Sequence, residues 1–458
     1  MTSMYGRKER YESDVVAQNE STLEKTRDNS NIELPKGRFD IMAVYTIAIS
    51  LNAMTLGWDT GTIGHIVTSN GFQQNYVHEK LSSTMVGITI SCFNFGCIIG
   101  CLVLGHLWKA FGYKKSVYIV NLIYFLGTVV QILMAKFTRN IWLTLLGRTM
   151  CGTQCGALCV LLPKYVYQLV LASHKNVLLS FLQTAVCISI FAGSFANWLV
   201  KDKFIILWYC QMVFVFLNTI VLLPLPEPPS YYLSENNYSK AERVIERLYV
   251  LDYEKTASMY TRNFQQSEIE QPQCRVFPFR VMIPCVLLMI FQQLTGINYF
   301  FYYGSMAFLR LGINYFFINA LMTGLNLVGS LISNAALSWF CVRALLLAGS
   351  ALLCCFFVLY TTFNLTSTPV SPYIVIVATC CFILIFAVTW GPAPGILVAR
   401  YAENSSTLLA LAVSVNFFSN CVITTVSPLL FAKLGFPFTI IFIGGLLCLF
   451  LYVMLCVH

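Results

Sequence analysis

The chain has 458 residues, of which 57% are hydrophobic and only 11% are charged, and its formal net charge is +9. Soluble domains carry about 25% charged residues, so there are too few charges here to cover the surface of a soluble protein. The composition therefore predicts an all-α polytopic membrane protein. We expect the lipid bilayer, and no nucleic acid, as its large-scale partner.

The 18 cysteines stand singly or in pairs inside apolar runs, such as Cys354-Cys355 and Cys380-Cys381. Their spacing is neither that of a zinc site nor that of a disulfide framework, and they are typical of small buried apolar side chains. We therefore expect no metal and no cofactor.

The chain begins with a polar segment, and its first apolar run starts near Ile41. A cleavable signal would place its apolar stretch much closer to Met1. Residues 1–40 are therefore predicted to be a disordered cytosolic tail rather than a signal peptide.

Twelve apolar segments follow, each close to the length of roughly 20 residues that a bilayer core requires. They cover residues 41–66, 83–105, 116–136, 141–163, 176–200, 204–224, 280–304, 313–337, 341–361, 373–398, 406–431 and 437–457. A polar stretch with a short amphipathic pattern over 240–250 divides them into two groups of six. The sequence predicts an N-terminal six-helix bundle at 41–224, a cytosolic central loop with short helices at 225–279, and a C-terminal six-helix bundle at 280–458.

The orientation follows from the placement of lysine and arginine. The short loops divide these residues about evenly, but the tail and the central loop add an excess on one side. This bias predicts that both termini are cytosolic. We expect a monomer in the plasma membrane.

Of the 20 acidic residues, only Asp59 lies well inside a predicted span. A lone carboxylate in an apolar helix is usually functional, and it would either take up a proton or seek a cation. Arg148, at the start of the fourth span, is the candidate partner in the same half. Two interpretations stay open: a buried pair tied to conformational change, or an interfacial Arg148 with Asp59 unpaired in a wet cavity.

Neutral amides also lie inside the spans, at Gln183, Gln292, Gln293, Asn298, Asn326, Asn416 and Asn420. Intramembrane amides often join helices, but Gln292 and Gln293 project about 100° apart, so we expect that they do not both join helices on one face. Gly296 and Pro284 interrupt the same helix and can open it toward a cavity. Amides and tyrosine hydroxyls together suit a neutral, hydroxyl-rich solute such as a sugar.

Five motifs stand along the spans: GWDTGTI (57–63), GRTMCGTQCG (147–156), PEPPSYYL (226–233), QQLTGINYFFYYG (292–304) and TWGPAP (389–394). They resemble the sugar porter family of the major facilitator superfamily, and specifically its fungal hexose transporters. The resemblance implies the major facilitator fold, with 12 transmembrane helices in two six-helix bundles. It also implies which residues contact the bound sugar, namely Gln183, Gln292, Gln293, Asn298, Tyr302 and Asn416, with Asn326 as a further position.

The chain departs from that family at the cytosolic ends of its spans. The aspartate of the loop after span two is replaced by Lys109, and the loop after span eight keeps only Arg343. The glutamates that close spans four and ten are replaced by Gln168 and Arg400, and the motif after span six has Ser230 instead of arginine. In the family these residues form a salt-bridge latch, so the resemblance implies altered gating, in which Lys109 and Arg400 could repel each other.

Two aromatic positions of the family's sugar cavity are also changed, to Gly395 and Phe417. The resemblance as a whole implies transport of a monosaccharide, a hexose such as glucose, by alternating access, either facilitated or coupled to protons. Because the latch is altered, a weakly active or non-transporting paralogue and a sugar-binding sensor stay open as alternatives. An enzyme is not expected, because the five histidines are scattered and neither a nucleotide loop nor a metal spacing is present.

Overall fold

The computed structural model describes residues 39–76, 81–169, 175–235, 237–248, 279–301, 315–366, 371–402 and 405–456. Within these ranges all regular secondary structure is helical. The predicted tail and much of the central loop lie outside the described residues, so their assignment stays a prediction.

Twelve apolar helices, numbered here α1 to α12, overlap the twelve predicted spans in order. Their bounds are α1 Asp40–Thr68, α2 Thr84–Phe111, α3 Tyr113–Thr138, α4 Ile141–Leu169, α5 Lys175–Val200, α6 Ile205–Val221, α7 Phe279–Tyr299, α8 Phe317–Trp339, α9 Val342–Leu365, α10 Tyr373–Tyr401, α11 Ser406–Ser427 and α12 Pro437–Leu455. Eleven of them are long and apolar enough to cross a membrane, and α6 is a shorter apolar helix. With 17 residues, α6 lies at the lower end of the usual range of about 17–25 residues.

The packing pattern of the first six helices is repeated in the last six. In the first half α1 packs on α5, and α4 packs on both α2 and α3. In the second half the equivalent pairs are α7 with α11, and α10 with α8 and α9. The halves meet along two seams, where α2 packs on α11 and α5 packs on α8. Because the repeat matches α2 to α8 and α5 to α11, each seam is the equivalent of the other. This is the arrangement of two six-helix bundles related by an axis along the membrane normal.

Small residues allow α2 and α4 to cross with their backbones nearly in contact. A Cβ atom added to Gly100 of α2 would lie 1.9 Å from the carbonyl oxygen of Thr153. One added to Gly156 of α4 would lie 1.9 Å from the carbonyl oxygen of Cys97. The glycines of the fourth-span motif therefore make room for a helix crossing, which is a common device within membranes.

Within the described residues, three of the membrane helices are interrupted. In α1 a 3-10 turn at Leu51–Ala53 separates two α-helical parts. In α7 the regular helix ends at Leu294, and Gly296 adopts φ +86°, a conformation in which a side chain would be strained. In α10 the chain leaves the helix after Val388 and resumes it at Ala393. Such breaks free backbone groups, and they are tolerated where the helices line a cavity.

Large apolar side chains cover the outer faces of the helices. Examples from different helices, all more than half exposed, are Leu122, Phe216, Leu331 and Leu451. In water so much exposed apolar surface would be costly, whereas in hydrocarbon it is matched to its surroundings. The chain is a multi-pass membrane protein.

Two short helices, Pro229–Ser234 and Tyr238–Leu248, follow α6, and the second covers most of the predicted amphipathic segment. Just before them, Glu227 caps the start of α3 by accepting backbone N–H bonds of 2.9 Å from Tyr113 and Lys114. Burial raises the pKa of the Glu227 carboxyl, an effect that these two N–H donors partly offset. The capping bonds tie the segment after the first bundle to the α2–α3 turn.

Candidate functional site

A cavity of about 300 Å³ lies between the two halves. Helices α1, α4 and α5 form its wall in the first half, and α7, α8, α10 and α11 form its wall in the second. The volume is at the lower end of the range of about 300–1,000 Å³ that is typical of small-ligand sites. All three interrupted helices contribute residues to it, through Ala53, Ile297 and Gly391.

Six of the seven residues expected to contact a sugar lie on the wall of this cavity. They are Gln183, Gln292, Gln293, Asn298, Asn326 and Asn416. The seventh, Tyr302, lies outside the described residues. The fold therefore brings together amides that are spread over more than 230 positions of sequence, from α5 to α11.

Four of these amides form a continuous hydrogen-bonded chain in the second half. Asn298 donates to Gln293, whose Nε2 donates to Oδ1 of Asn416 at 2.9 Å. Nδ2 of Asn416 then donates to Oε1 of Gln292 at 2.8 Å, and Nε2 of Gln292 donates to the Trp390 carbonyl oxygen at 2.8 Å. The acceptor carbonyl belongs to the break in α10. A polar chain of this kind holds each amide in a defined orientation.

The expectation that Gln292 and Gln293 would not both join helices on one face is wrong, because both bond to the same neighbouring helix. Gln292 bonds to α10 and α11, and Gln293 bonds to α11. The 100° between them does not prevent this, because Asn416 offers its oxygen to one and its nitrogen to the other. These amides join helices and face the cavity at the same time, so the two interpretations of them are not exclusive.

The remaining two amides approach from different halves and share one acceptor. Nδ2 of Asn326 in α8 donates to the sulfur of Cys187 at 3.3 Å, and Nε2 of Gln183 in α5 donates to the same sulfur at 3.6 Å. Asn326 is buried and Gln183 is half-buried. The sulfur atom thus bridges the α5–α8 seam beside the cavity.

A further polar network supports the first-half wall. Thr55, which lines the cavity, donates to Oε1 of Gln154 at 3.2 Å. Nε2 of Gln154 donates to Asn121 at 3.0 Å, and Asn121 donates to Asn52 at 3.0 Å. These residues were not among those predicted from the sequence to line the site. Their signal was the same as that of the predicted amides, namely Asn and Gln inside apolar spans.

Asp59 and Arg148 form a buried ion pair outside the cavity wall. Two contacts of 3.0 Å join the guanidinium to the two carboxylate oxygens, and Nε of Arg148 donates to the Thr89 carbonyl oxygen at 3.1 Å. Their relative exposures are 6% for Asp59 and 2% for Arg148. In this structure Asp59 is therefore paired, as in the first of the two interpretations left open by the sequence. The pair links α1 to α4 and, through Thr89, to α2.

Comparisons with known proteins identify the family. The profile of the family described as "Sugar (and other) transporter" matches residues 44–458. The chain belongs to this sugar transporter family. The resemblance seen in the sequence is thus confirmed, and the family is one of transporters rather than of enzymes.

Similar curated members of the sugar transporter family come from yeasts. The hexose transporter HXT14 of Saccharomyces cerevisiae is 26% identical over 494 residues, covering 94% of this chain and 88% of the relative. The galactose transporter of the same species is 26% identical and covers 97% of this chain and 84% of its own. Hexose transporter 2 of Kluyveromyces lactis is also 26% identical, with coverages of 92% and 81%.

Solved structures of transporters show the same fold. The proton:xylose symporter XylE bound to 6-bromo-6-deoxy-D-glucose superposes with a TM-score of 0.80 at 20% identity, over 90% of this chain and 95% of XylE. A partially occluded inward-open form of XylE from E. coli gives 0.76 at 20% identity, over 91% and 98%. The fold is therefore the major facilitator fold, with 12 helices in two bundles.

Three of the residues at which the sequence departs from the expected family pattern form hydrogen bonds in this structure. Ser230 donates to Oε1 of Gln168 at 3.0 Å, so a neutral hydrogen bond stands where the family resemblance implies arginine and glutamate. Arg343 donates to the Met454 carbonyl oxygen at 3.1 Å near the end of α12. Lys109 and Arg400 are exposed, so solvent and salt screen any repulsion between them.

The two changed aromatic positions both lie on the cavity wall. A Cβ atom added to Gly395 would meet nothing within 4 Å, so this position opens onto free space. Phe417 is buried with a relative exposure of 6%. One aromatic face is therefore kept on α11, and α10 contributes none at Gly395.

Proposed function

We propose that the protein carries a monosaccharide, a hexose such as glucose, across the membrane by alternating access. The observation that supports this most strongly is the amide-lined cavity between two repeated halves of a sugar transporter fold. The names of the yeast relatives, a hexose transporter and a galactose transporter, favour a six-carbon sugar over a larger solute. The fold and the family support sugar transport in general, and the proposal adds the substrate class and the mechanism.

Binding would rest on the cavity amides, because each offers both a donor and an acceptor to a ring hydroxyl. The hydrogen-bonded amides that run from Asn298 through Asn416 to Gln292 would hold their unused donors and acceptors in fixed directions. Less conformational entropy would then be lost when a sugar binds. Phe417 would cover a C–H face of the ring. An anionic solute is disfavoured, because no basic side chain is among the described residues of the cavity wall.

Transport would follow from rocking of one half against the other along the two seams. Hydroxyl and amide groups join the halves there, with Ser91 bonded to Thr425 at 2.7 Å and Ser180 bonded to Asn334 at 2.6 Å. The ion pair Asp59–Arg148 lies within the first half, and no ion pair between described residues crosses a seam. Neutral contacts of this kind can be exchanged between two states at small energetic cost.

We propose Asp59 and Arg148 as the site where a proton would couple to transport, with passive transport as the other outcome. If Asp59 took up a proton, the guanidinium would lose its counter-charge in a buried site, which favours rearrangement of α1 and α4. For Lys109, Arg343 and Arg400 we propose a role in gating at the cytosolic face. We further propose a monomer in the plasma membrane with both termini cytosolic.

Expression in cells that lack their own hexose carriers tests the proposal. We expect saturable uptake of radiolabelled glucose above that of cells carrying the empty vector. If a proton uncoupler lowers uptake, sugar transport is coupled to protons. If uptake does not change, transport is facilitated. Background uptake with the protein shown at the cell surface would reject transport. Sugar binding to the purified protein would then separate a sensor from an inactive paralogue.

A further inference from the structure

Cys187 is a buried thiol that contacts two residues of the cavity wall. It lies on α5 one turn after Gln183, and its relative exposure is 0%. It does not line the cavity, but the two amides that donate to its sulfur, those of Gln183 and Asn326, do. These two amides belong to different halves of the protein.

The two hydrogen bonds engage the nitrogen atoms of both amides and leave their carbonyl oxygens available. Each amide places its nitrogen on the sulfur of Cys187, and among the described residues no hydrogen bond reaches Oε1 of Gln183 or Oδ1 of Asn326. Both carbonyl oxygens therefore remain able to accept hydrogen bonds from hydroxyl groups of a ligand. A residue without an acceptor atom at position 187 would leave the side-chain amides of Gln183 and Asn326 free to rotate.

The chemistry of the acceptor matters because the bridge crosses the α5–α8 seam. A thiol sulfur is a weak acceptor, so two amides bonded to it are oriented yet separate readily. Farther along the same seam the contacts are hydroxyl–amide and hydroxyl–hydroxyl bonds, such as Ser330 to Thr184 at 3.0 Å. Cys187 thus provides the one bridge in the described part of this seam that directly connects two cavity-lining amides.

We propose that Cys187 is a positioning residue of the sugar site. Its sulfur holds the amide nitrogens of Gln183 and Asn326 and so aims both carbonyl oxygens at the ligand from opposite halves. This inference rests on the proposed function, since it names how that site is organised. It predicts that replacing the sulfur alters the apparent affinity for sugar more than the turnover.

The test compares two substitutions of Cys187 in an uptake assay. Cys187→Val removes the acceptor and introduces a slightly larger apolar side chain, and we expect KM for glucose to rise about three- to tenfold, the loss expected for one or two weak hydrogen bonds. Cys187→Ser restores an acceptor, and KM should return to within about twofold of the original value. Cys285→Val is the matched control, because Cys285 is equally buried in α7 and lies outside the cavity wall.

A second arm separates positioning from a general effect on packing. In the double variant Gln183→Ala with Asn326→Ala, both donors are absent, so adding Cys187→Val should change KM no further. An additional rise in that background, or an unchanged KM for Cys187→Val alone, would overturn the inference. If the unmodified protein neither binds nor transports a sugar, the proposed function fails, and the inference fails with it. If the protein transports sugar and Cys187→Val leaves KM unchanged, only the inference about Cys187 is rejected.

Discussion

At the scale of single residues, Asn416 is the amide that bonds to both cavity glutamines, Gln292 and Gln293. Its oxygen accepts from Gln293, and its nitrogen donates to both Gln292 and the Met289 carbonyl oxygen at 3.1 Å. Asn416→Leu would remove these bonds at similar size, so Gln292 would keep only its bonds to α10 and Gln293 only its bond from Asn298. We expect the KM for hexose uptake to rise by about tenfold or more, the effect of losing two hydrogen bonds near the ligand.

Asn218→Leu is the matched control for this change. Asn218 is buried in α6, away from the cavity, and its amide nitrogen has no partner among the described residues. Its replacement should leave KM unchanged and stability equal or higher, because no hydrogen bond is lost. Equal effects of the two substitutions on KM would mean that Asn416 acts only through general packing.

At the scale of helices, the close packing of α2 against α4 can be tested by enlarging one glycine at their crossing. Gly156→Ala would place a methyl group 1.9 Å from the Cys97 carbonyl oxygen, so the two helices would have to separate. We expect a loss of about 1–3 kcal/mol or more in unfolding free energy, measured as a lower thermal unfolding midpoint in detergent.

Gly64→Ala is the control for that crossing. Gly64 lies inside α1, and a Cβ atom there would meet nothing within 4 Å. Because alanine is the better helix former, this change should be neutral or stabilise the protein by up to about 1 kcal/mol. A Gly156→Ala protein that unfolds at the same temperature as the Gly64→Ala protein would contradict the close packing.

Most of the helices could be predicted from the sequence, because hydrophobic length is a strong signal in a bilayer. The amides of α7 were likewise visible, since polar groups are rare in apolar spans. The bridge at Cys187 was not, because a cysteine in an apolar run looks the same whether or not an amide from another helix reaches it. The bond between Ser230 and Gln168 was missed for a similar reason: sequence shows that charges were lost, and only geometry shows a neutral replacement.

At the scale of the whole molecule, the repeat suits the proposed transport, in which one central site would be reached from either side. The seams α2–α11 and α5–α8 are equivalent under the repeat, so rotation about the cavity can close one end as it opens the other. In the proposed mechanism the neutral bonds along both seams would let the two states stay close in energy, because exchanging one neutral hydrogen bond for another changes the free energy little. Altered cytosolic charges are compatible with this mechanism.

The central claim is that the cavity of this protein binds and moves a hexose. The most direct measurement is uptake of radiolabelled glucose into liposomes containing the purified protein, compared with the Asn416→Leu variant and with empty liposomes. The account predicts saturable uptake that unlabelled hexose competes away and that Asn416→Leu weakens through a higher KM. Uptake no greater than that of empty liposomes, from protein that is folded and correctly inserted, would contradict it.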